Sequence, residues 1–149
     1  MNKEVLDFLR KHVGRNAAEL PSSMGLGRWL NARLEALEDD GHVRLSFEVR
    51  DDMLNPLGMV HGGAFCAIVD EVMGMQLYLL NEGGNPFVSI GLHIDFLHKC
   101  LPGDRIVAVP RLTRIGRTTA HLTCDLFSEN SGKLFVKASS SFSRLPSAS

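Results

Sequence analysis

Several things are scarce in this 149-residue chain, and each scarcity excludes something. Cysteine occurs three times, at Cys66, Cys100 and Cys124, an odd number without a C-x-x-C pair, so neither a disulfide framework nor a cysteine-rich zinc site is expected. A reducing cytoplasm is the simplest compartment. There is no surplus of one charge, with 16 Lys and Arg against 17 Asp and Glu, so no global field would hold nucleic acid or an anionic membrane. An anionic ligand must be met by a local cluster. The longest apolar stretch, Gly62–Leu80, carries Asp70 and Glu71 at its middle, and each would cost about 2.5–3.5 kcal/mol at a bilayer centre. It reads as a buried helix of a soluble protein. Residues 1–15 set Glu4 and Asp7 between apolar positions and lack the apolar core of a secretion signal, so an amphipathic helix over about 3–20 is expected. A Walker loop, a G-x-G-x-x-G run and a G-x-S-x-G elbow are all missing. His93 and His98 are an odd number apart, which sends them to opposite faces of a strand and disfavours a shared metal.

What remains is an ordinary globular composition, 44% hydrophobic and 22% charged, of a length that suits one domain with one core. After the first helix, Leu20-Pro21-Ser22-Ser23 with Gly25 and Gly27 marks a loop. Strands are expected at 29–38 and 42–50, with Asp39-Asp40-Gly41 as the turn between them. The long helix follows and is stopped by Asn81-Glu82-Gly83-Gly84-Asn85-Pro86. Four more strands, 87–99, 104–114, 117–128 and 133–143, run to the end, and the tail from Leu145 reads as dispensable. In the penultimate strand Ala120, Leu122, Cys124 and Leu126 share one face, while Thr119, His121, Thr123 and Asp125 share the other. A one-sided antiparallel sheet needs an apolar cover, and only Gly62–Leu80 is long and apolar enough. An α+β domain results, its sheet curled about one central helix, the architecture called hotdog.

The chemistry concentrates between Asn55 and Asp70. Gly62 and Gly63 open the helix, so their amides lack intrahelical acceptors and sit at the positive end of its dipole, where a carbonyl oxygen gaining negative charge is stabilised. The plainer reading of two glycines is a tight strand-to-helix turn. His61, just before the helix start, is read first as a turn hydrogen-bonder rather than a general base, and Asn55 as a capping residue. Asp70 lies amid Cys66, Ala67, Ile68, Val69, Val72 and Met73, where a buried carboxylate is costly unless paired, neutralised or used. Glu71 is about 100° round the helix from it, and its default is exposure or an ion pair. Phe65, Met73, Met75, Leu77 and Tyr78 either wall a pocket or belong to the core.

Asn55-Pro56-Leu57-Gly58-Met59-Val60-His61-Gly62-Gly63, with Ala64-Phe65-Cys66-Ala67-Ile68-Val69-Asp70 after it, resembles the signature of hotdog acyl-CoA thioesterases of the PaaI type. Asn stands six residues before the His, and Asp nine after it. The likeness runs through Val88-Ser89-Ile90, Phe96-Leu97, Pro102-Gly103-Asp104, Ile115-Gly116-Arg117 and Ser131-Gly132-Lys133, leaving a thioesterase core of about 29–143 within a single domain of 1–149. The resemblance implies acyl-CoA hydrolysis, with Asn55 holding the thioester carbonyl beside Gly62 and Gly63, and Asp70 as nucleophile or as base on water. It matches Ser89 to a water-holding hydroxyl, whereas Gly74 departs from relatives with Ser or Thr one turn after the carboxylate. CoA enters as part of the substrate, so no separate cofactor is expected. Its phosphates would suit the guanidinium groups of Arg114 and Arg117, with Gly116 between them at the last hairpin turn; the plainer reading of a basic hairpin tip is solubility.

Geometry adds a condition. Eight residues separate Gly62 from Asp70, about 12 Å along one helix at 1.5 Å per residue, so both cannot touch one carbonyl carbon. A homodimer with two shared sites follows, its helices antiparallel, and the family's further pairing implies a tetramer. Two other functions fit the fold: a hotdog enoyl-thioester hydratase or dehydratase, which pairs His with a carboxylate in different motifs, and a non-catalytic acyl-CoA sensor.

Overall fold

A computed structural model describes residues 3–20, 25–82 and 84–146. Its elements are α1 (Lys3–Arg10), α2 (Gly25–Leu30), β1 (Arg33–Leu37), β2 (Val43–Glu48), α3 (Gly62–Leu80), β3 (Phe87–Phe96), β4 (Arg105–Ile115), β5 (Thr119–Ser128) and β6 (Leu134–Arg144), with single 3₁₀ turns at Ala17–Glu19 and Asp51–Met53. The six strands form one antiparallel sheet in the order β1-β2-β4-β5-β6-β3. The sheet wraps α3, giving the expected hotdog architecture.

The alternation in β5 separates the faces as its sequence indicates: Ala120, Leu122, Cys124 and Leu126 are buried, and Thr119, His121 and Thr123 are exposed. Against that inner face lie Ile68, Val69, Val72, Met73, Leu77 and Leu79 of α3, all at most 2% exposed. Burying side chains of this size contributes about 1.5–3 kcal/mol each, which holds α3 in place despite its lack of a polar stripe. Helix α3 has the length and apolarity to cross a membrane, and here the sheet buries one side of it instead.

Three expectations change. Helix α1 ends at Arg10 rather than near residue 20, and Gly14, at φ +83°, turns the chain; no side chain carries that backbone comfortably. Trp29 belongs to α2 rather than to a strand at 29–38, and β1 starts at Arg33. The alternation there was overridden by tertiary contacts: the Trp29 indole donates to Asp52 at 2.8 Å, Arg50 lies over its ring at 5.2 Å, and Arg50 donates to the Trp29 carbonyl at 2.7 Å. The tail is tied down at its start, since the Leu145 amide donates to Pro86 and its carbonyl accepts from Asn85, both at 2.9 Å. Pro21, Ser22 and Ser23 of the expected loop, and Gly83 of the helix stop, lie outside the described residues.

One buried polar group staples the β1–β2 turn onto the central helix. Gln76, wholly buried on α3, accepts from the Val43 amide at 2.9 Å and donates to the Gly41 carbonyl at 2.8 Å. Gln76→Leu keeps the bulk and leaves an amide and a carbonyl without partners, each costing about 1–3 kcal/mol. Urea unfolding is expected to show a loss of about 2–4 kcal/mol, and an unchanged midpoint would refute the staple.

Candidate active site

The N-terminus of α3 is built by three backbone anchors. The Val60 amide donates to Cys100 at 3.0 Å, the His61 amide to Met53 at 2.8 Å, and the His61 carbonyl accepts from Ala64 at 2.9 Å. His61 is the N-cap, its Nδ1 accepting from the Gly63 amide at 2.8 Å. A neutral imidazole with an accepting Nδ1 carries its proton on Nε2, so His61 acts here as the capping group that the plainer reading names.

That cap separates the two glycines. The Gly63 amide is engaged by His61, while among the described residues no acceptor meets the Gly62 amide. Gly62 lines a cleft with Asn55, Met59, Val60, Phe65, Phe96, Leu97, His98 and Lys99. The Asn55 Oδ1 accepts from Leu57 at 2.9 Å and Met59 at 3.4 Å, bracing its loop, which leaves the Nδ2 donors for a ligand. Phe96, absent from the sequence-derived site, closes one wall: a Cβ on Gly62 would stand 3.3 Å from its ring. A side chain at Gly62 would therefore crowd that ring.

Asp70 sits two turns along α3 and is half-buried rather than enclosed, on a stripe of the helix that the sheet leaves uncovered. Its Oδ1 accepts from the Ser89 hydroxyl at 2.6 Å. A β-bulge makes this pairing possible. Alternation alone puts Val88, Ile90, Leu92, Ile94 and Phe96 on one face and Ser89 on the other. The pairing with β6 slips between Ser89 and Gly91, however, so Ser89 stands opposite buried Phe142 while Leu92 and Ile94 stand opposite Ser140 and Ala138. The extra residue turns Ser89 to the helix side, as bulges do when they re-aim a side chain.

Glu71 differs from its expected exposure. It is half-buried, and Gly27 of α2 lies so close that a Cβ there would fall 2.5 Å from the Glu71 carboxyl. Burial first, and the Asp70 charge second, push the Glu71 carboxyl above its ordinary range. A raised carboxylate pKa contributes stability below the ordinary glutamate value that is lost as pH rises through the folded value. Glu71→Gln is accordingly expected to raise the melting temperature at pH 7 and to leave it unchanged at pH 3, as read by thermal scans.

Of the remaining sequence candidates, Phe65 is buried and lines the Gly62 cleft, whereas Met73 and Leu77 are core residues and Tyr78 is 55% exposed. Gly116, in the turn between β4 and β5, lies beside Leu80 and Asn81, about 27 Å along α3 from Gly62 at 1.5 Å per residue, with Arg114 on β4 before it and Arg117 in the turn after it. Burial pushes the Cys100 and Cys124 thiols up to about 12, so neither supplies a thiolate nucleophile near neutrality.

Comparison with known proteins places the sequence and the fold. The sequence matches the Thioesterase superfamily over residues 57–135. Acyl-coenzyme A thioesterase 13 of Homo sapiens is 31% identical over 97 residues, covering 65% of this chain and 69% of that protein. A hypothetical thioesterase protein from Streptococcus pneumoniae, solved with coenzyme A, superposes with a TM-score of 0.70 at 25% identity over 80% of this chain and 89% of that one. A variant of the phenylacetic acid degradation protein PaaI from Thermus thermophilus does so with 0.69 at 25% identity, over 78% and 96%. This chain therefore belongs to the thioesterase superfamily, as a hotdog-fold thioester hydrolase of the PaaI type.

Proposed function

We propose that the protein hydrolyses acyl-CoA thioesters to the free acid and CoA, at sites shared between two copies of the chain. The observation that carries this reading is the unengaged Gly62 amide at a helix N-terminus, in one cleft with Asn55, with the Asp70–Ser89 pair two turns away. The thioester carbonyl oxygen accepts from the Gly62 amide and Asn55 Nδ2, donors placed where negative charge develops. Asp70 of the partner subunit takes a proton from water, whose oxygen attacks the carbonyl carbon; the C–S bond then breaks and the thiolate leaves to be protonated as CoA. Ser89, donating its own proton to Asp70, offers lone pairs that hold the water, in place of the hydroxyl that Gly74 lacks. A single turnover in ¹⁸O-labelled water would put the label in the acid from the first cycle; delivery of an unlabelled enzyme oxygen would make Asp70 the nucleophile instead.

Support for the shared site lies in what the protomer leaves open. Strand β3 ends the sheet, and eight of its ten residues are exposed, with Val88, Ile90 and Leu92 each at least 40% so. A long apolar edge strand invites pairing with another chain, and the uncovered stripe of α3 runs beside it. Two such faces docked antiparallel set Gly62 of one copy near Asp70 of the other. From Asp70 to Leu80 is about 15 Å at 1.5 Å per residue, so the hairpin of the chain that supplies Asp70 stands a pantetheine arm's reach from the thioester. Arg114 and Arg117 there meet the phosphates. Further pairing into a tetramer, and a reducing cytoplasm suited to three free cysteines, complete the proposal.

A thiol-release screen over short-chain, long-chain and aromatic acyl-CoAs tests the activity. Hydration of an enoyl thioester with no thiol released would overturn it. Replacing Arg114 and Arg117 by Ala is expected to raise KM for acyl-CoA about tenfold or more, since a hydrogen bond to a charged group contributes about 1.5–3 kcal/mol, and to leave KM for an acyl-pantetheine unchanged.

A further inference from the structure

Gly74 is anomalous in the interior of α3. A helix-interior glycine costs about 0.5–1 kcal/mol relative to alanine, and a close neighbour is the usual reason to keep one. Gly27 and Gly62 have such neighbours, whereas nothing lies within 4 Å of the position a Cβ would take on Gly74. Packing inside the protomer does not require the vacancy.

The vacancy opens into a small cleft lined by Gly74, Leu77 and Tyr78 of α3, Asn81 at its end, and Pro86 and Phe87 at the start of β3. The Phe87 ring is fixed from behind by the Arg144 guanidinium, 4.2 Å from its centroid. Gly74 follows Asp70 by four residues, so it shares the uncovered face and lies about 6 Å further along. An acyl group whose carbonyl carbon is held at Asp70 meets this apolar floor within a few carbons.

We infer that the vacancy at Gly74 receives the acyl group beyond its carbonyl, making Gly74 the residue that sets acyl size and selecting substrates with an apolar acyl body of several carbons over acetyl. This rests on the thioester hydrolysis proposed above and names its substrate class. A second chain supplies the cover. With Gly62 set against Asp70 of the partner subunit, one further turn brings Gly74 to the tip of the partner's 55–59 loop. Leu57 at that tip is 79% exposed in its own protomer, its amide held by Asn55 at 2.9 Å. It closes the cleft from above, so each acyl pocket has its floor from one copy and its roof from the other.

Steady-state kinetics on acetyl-CoA and octanoyl-CoA test the inference with the full-length wild type, Gly74→Ala, Gly74→Leu and Leu57→Ala. The wild type is expected to favour octanoyl-CoA. A buried methylene changes discrimination by about 10–200-fold, so the octanoyl-to-acetyl ratio of kcat/KM should fall at least about 100-fold in Gly74→Leu, with smaller falls in Gly74→Ala and Leu57→Ala. Unchanged ratios in folded oligomers would overturn the inference, and so would dissociation of the Gly74→Ala variant to monomers, which would make the glycine a helix-contact residue. Should Gly74→Leu fail to fold, Gly74→Ala and Leu57→Ala decide by the same ratio. A wild type that releases no thiol from any acyl-CoA would instead remove the proposed function, and the inference with it.

Discussion

Asp70→Asn is expected to lower kcat/KM for acyl-CoA by about 10²–10⁴-fold, the range a positioned general base contributes, with fold and assembly intact. The substitution is nearly isosteric, and an amide oxygen can still accept from Ser89, whose hydroxyl stands 2.6 Å from the carboxylate. What is lost is the capacity to take a proton. Because Asp70 is half-buried on an uncovered face rather than part of the core, the exchange leaves no cavity and no stranded charge. Thiol release, circular dichroism and size-exclusion profiles on the same preparation check the prediction. Wild-type turnover by the variant would remove Asp70 from the mechanism, and a collapse of the oligomer would make its role structural.

The second large effect concerns where the halves of the site come from. Asn55→Ala deletes a donor to the developing oxyanion and should cost about 10²–10³-fold in kcat, so the Asn55→Ala and Asp70→Asn homodimers are both nearly inactive. If one chain contributes Asn55 and Gly62 while its partner contributes Asp70, the mixed dimer contains one site with both defects and one with neither. Purified mixed dimers should then recover about half the wild-type rate per dimer, as twofold symmetry requires. No recovery would place Asn55 and Asp70 in the same functional unit. The length of α3 argues against that outcome, since two turns separate the Gly62 cleft from the Asp70–Ser89 pair.

Much of this architecture is legible in the residues. The span Gly62–Leu80 reads as one helix because His61 and the glycines start it and Asn81 with Gly84 and Pro86 stop it. The faces of β5 follow from strict alternation, a local property of a pleated strand. The distance between Gly62 and Asp70 is likewise readable, as helical rise is constant. Trp29 shows the limit: its surroundings alternate like a strand, yet contacts with Arg50 and Asp52, more than twenty residues away, draw it into a helix. Local pattern carries no information about such distant partners.

The motif from Asn55 to Asp70 was thus determined by sequence as a set of residues at fixed spacing on a turn and a helix. Which of them are available was decided by the tertiary structure. His61 takes the Gly63 amide and leaves that of Gly62, a choice made by the rotamer of one capping side chain. Ser89 faces Asp70 only because the register of β3 against β6 slips by one residue, and a strand's neighbours, not its own alternation, set its register.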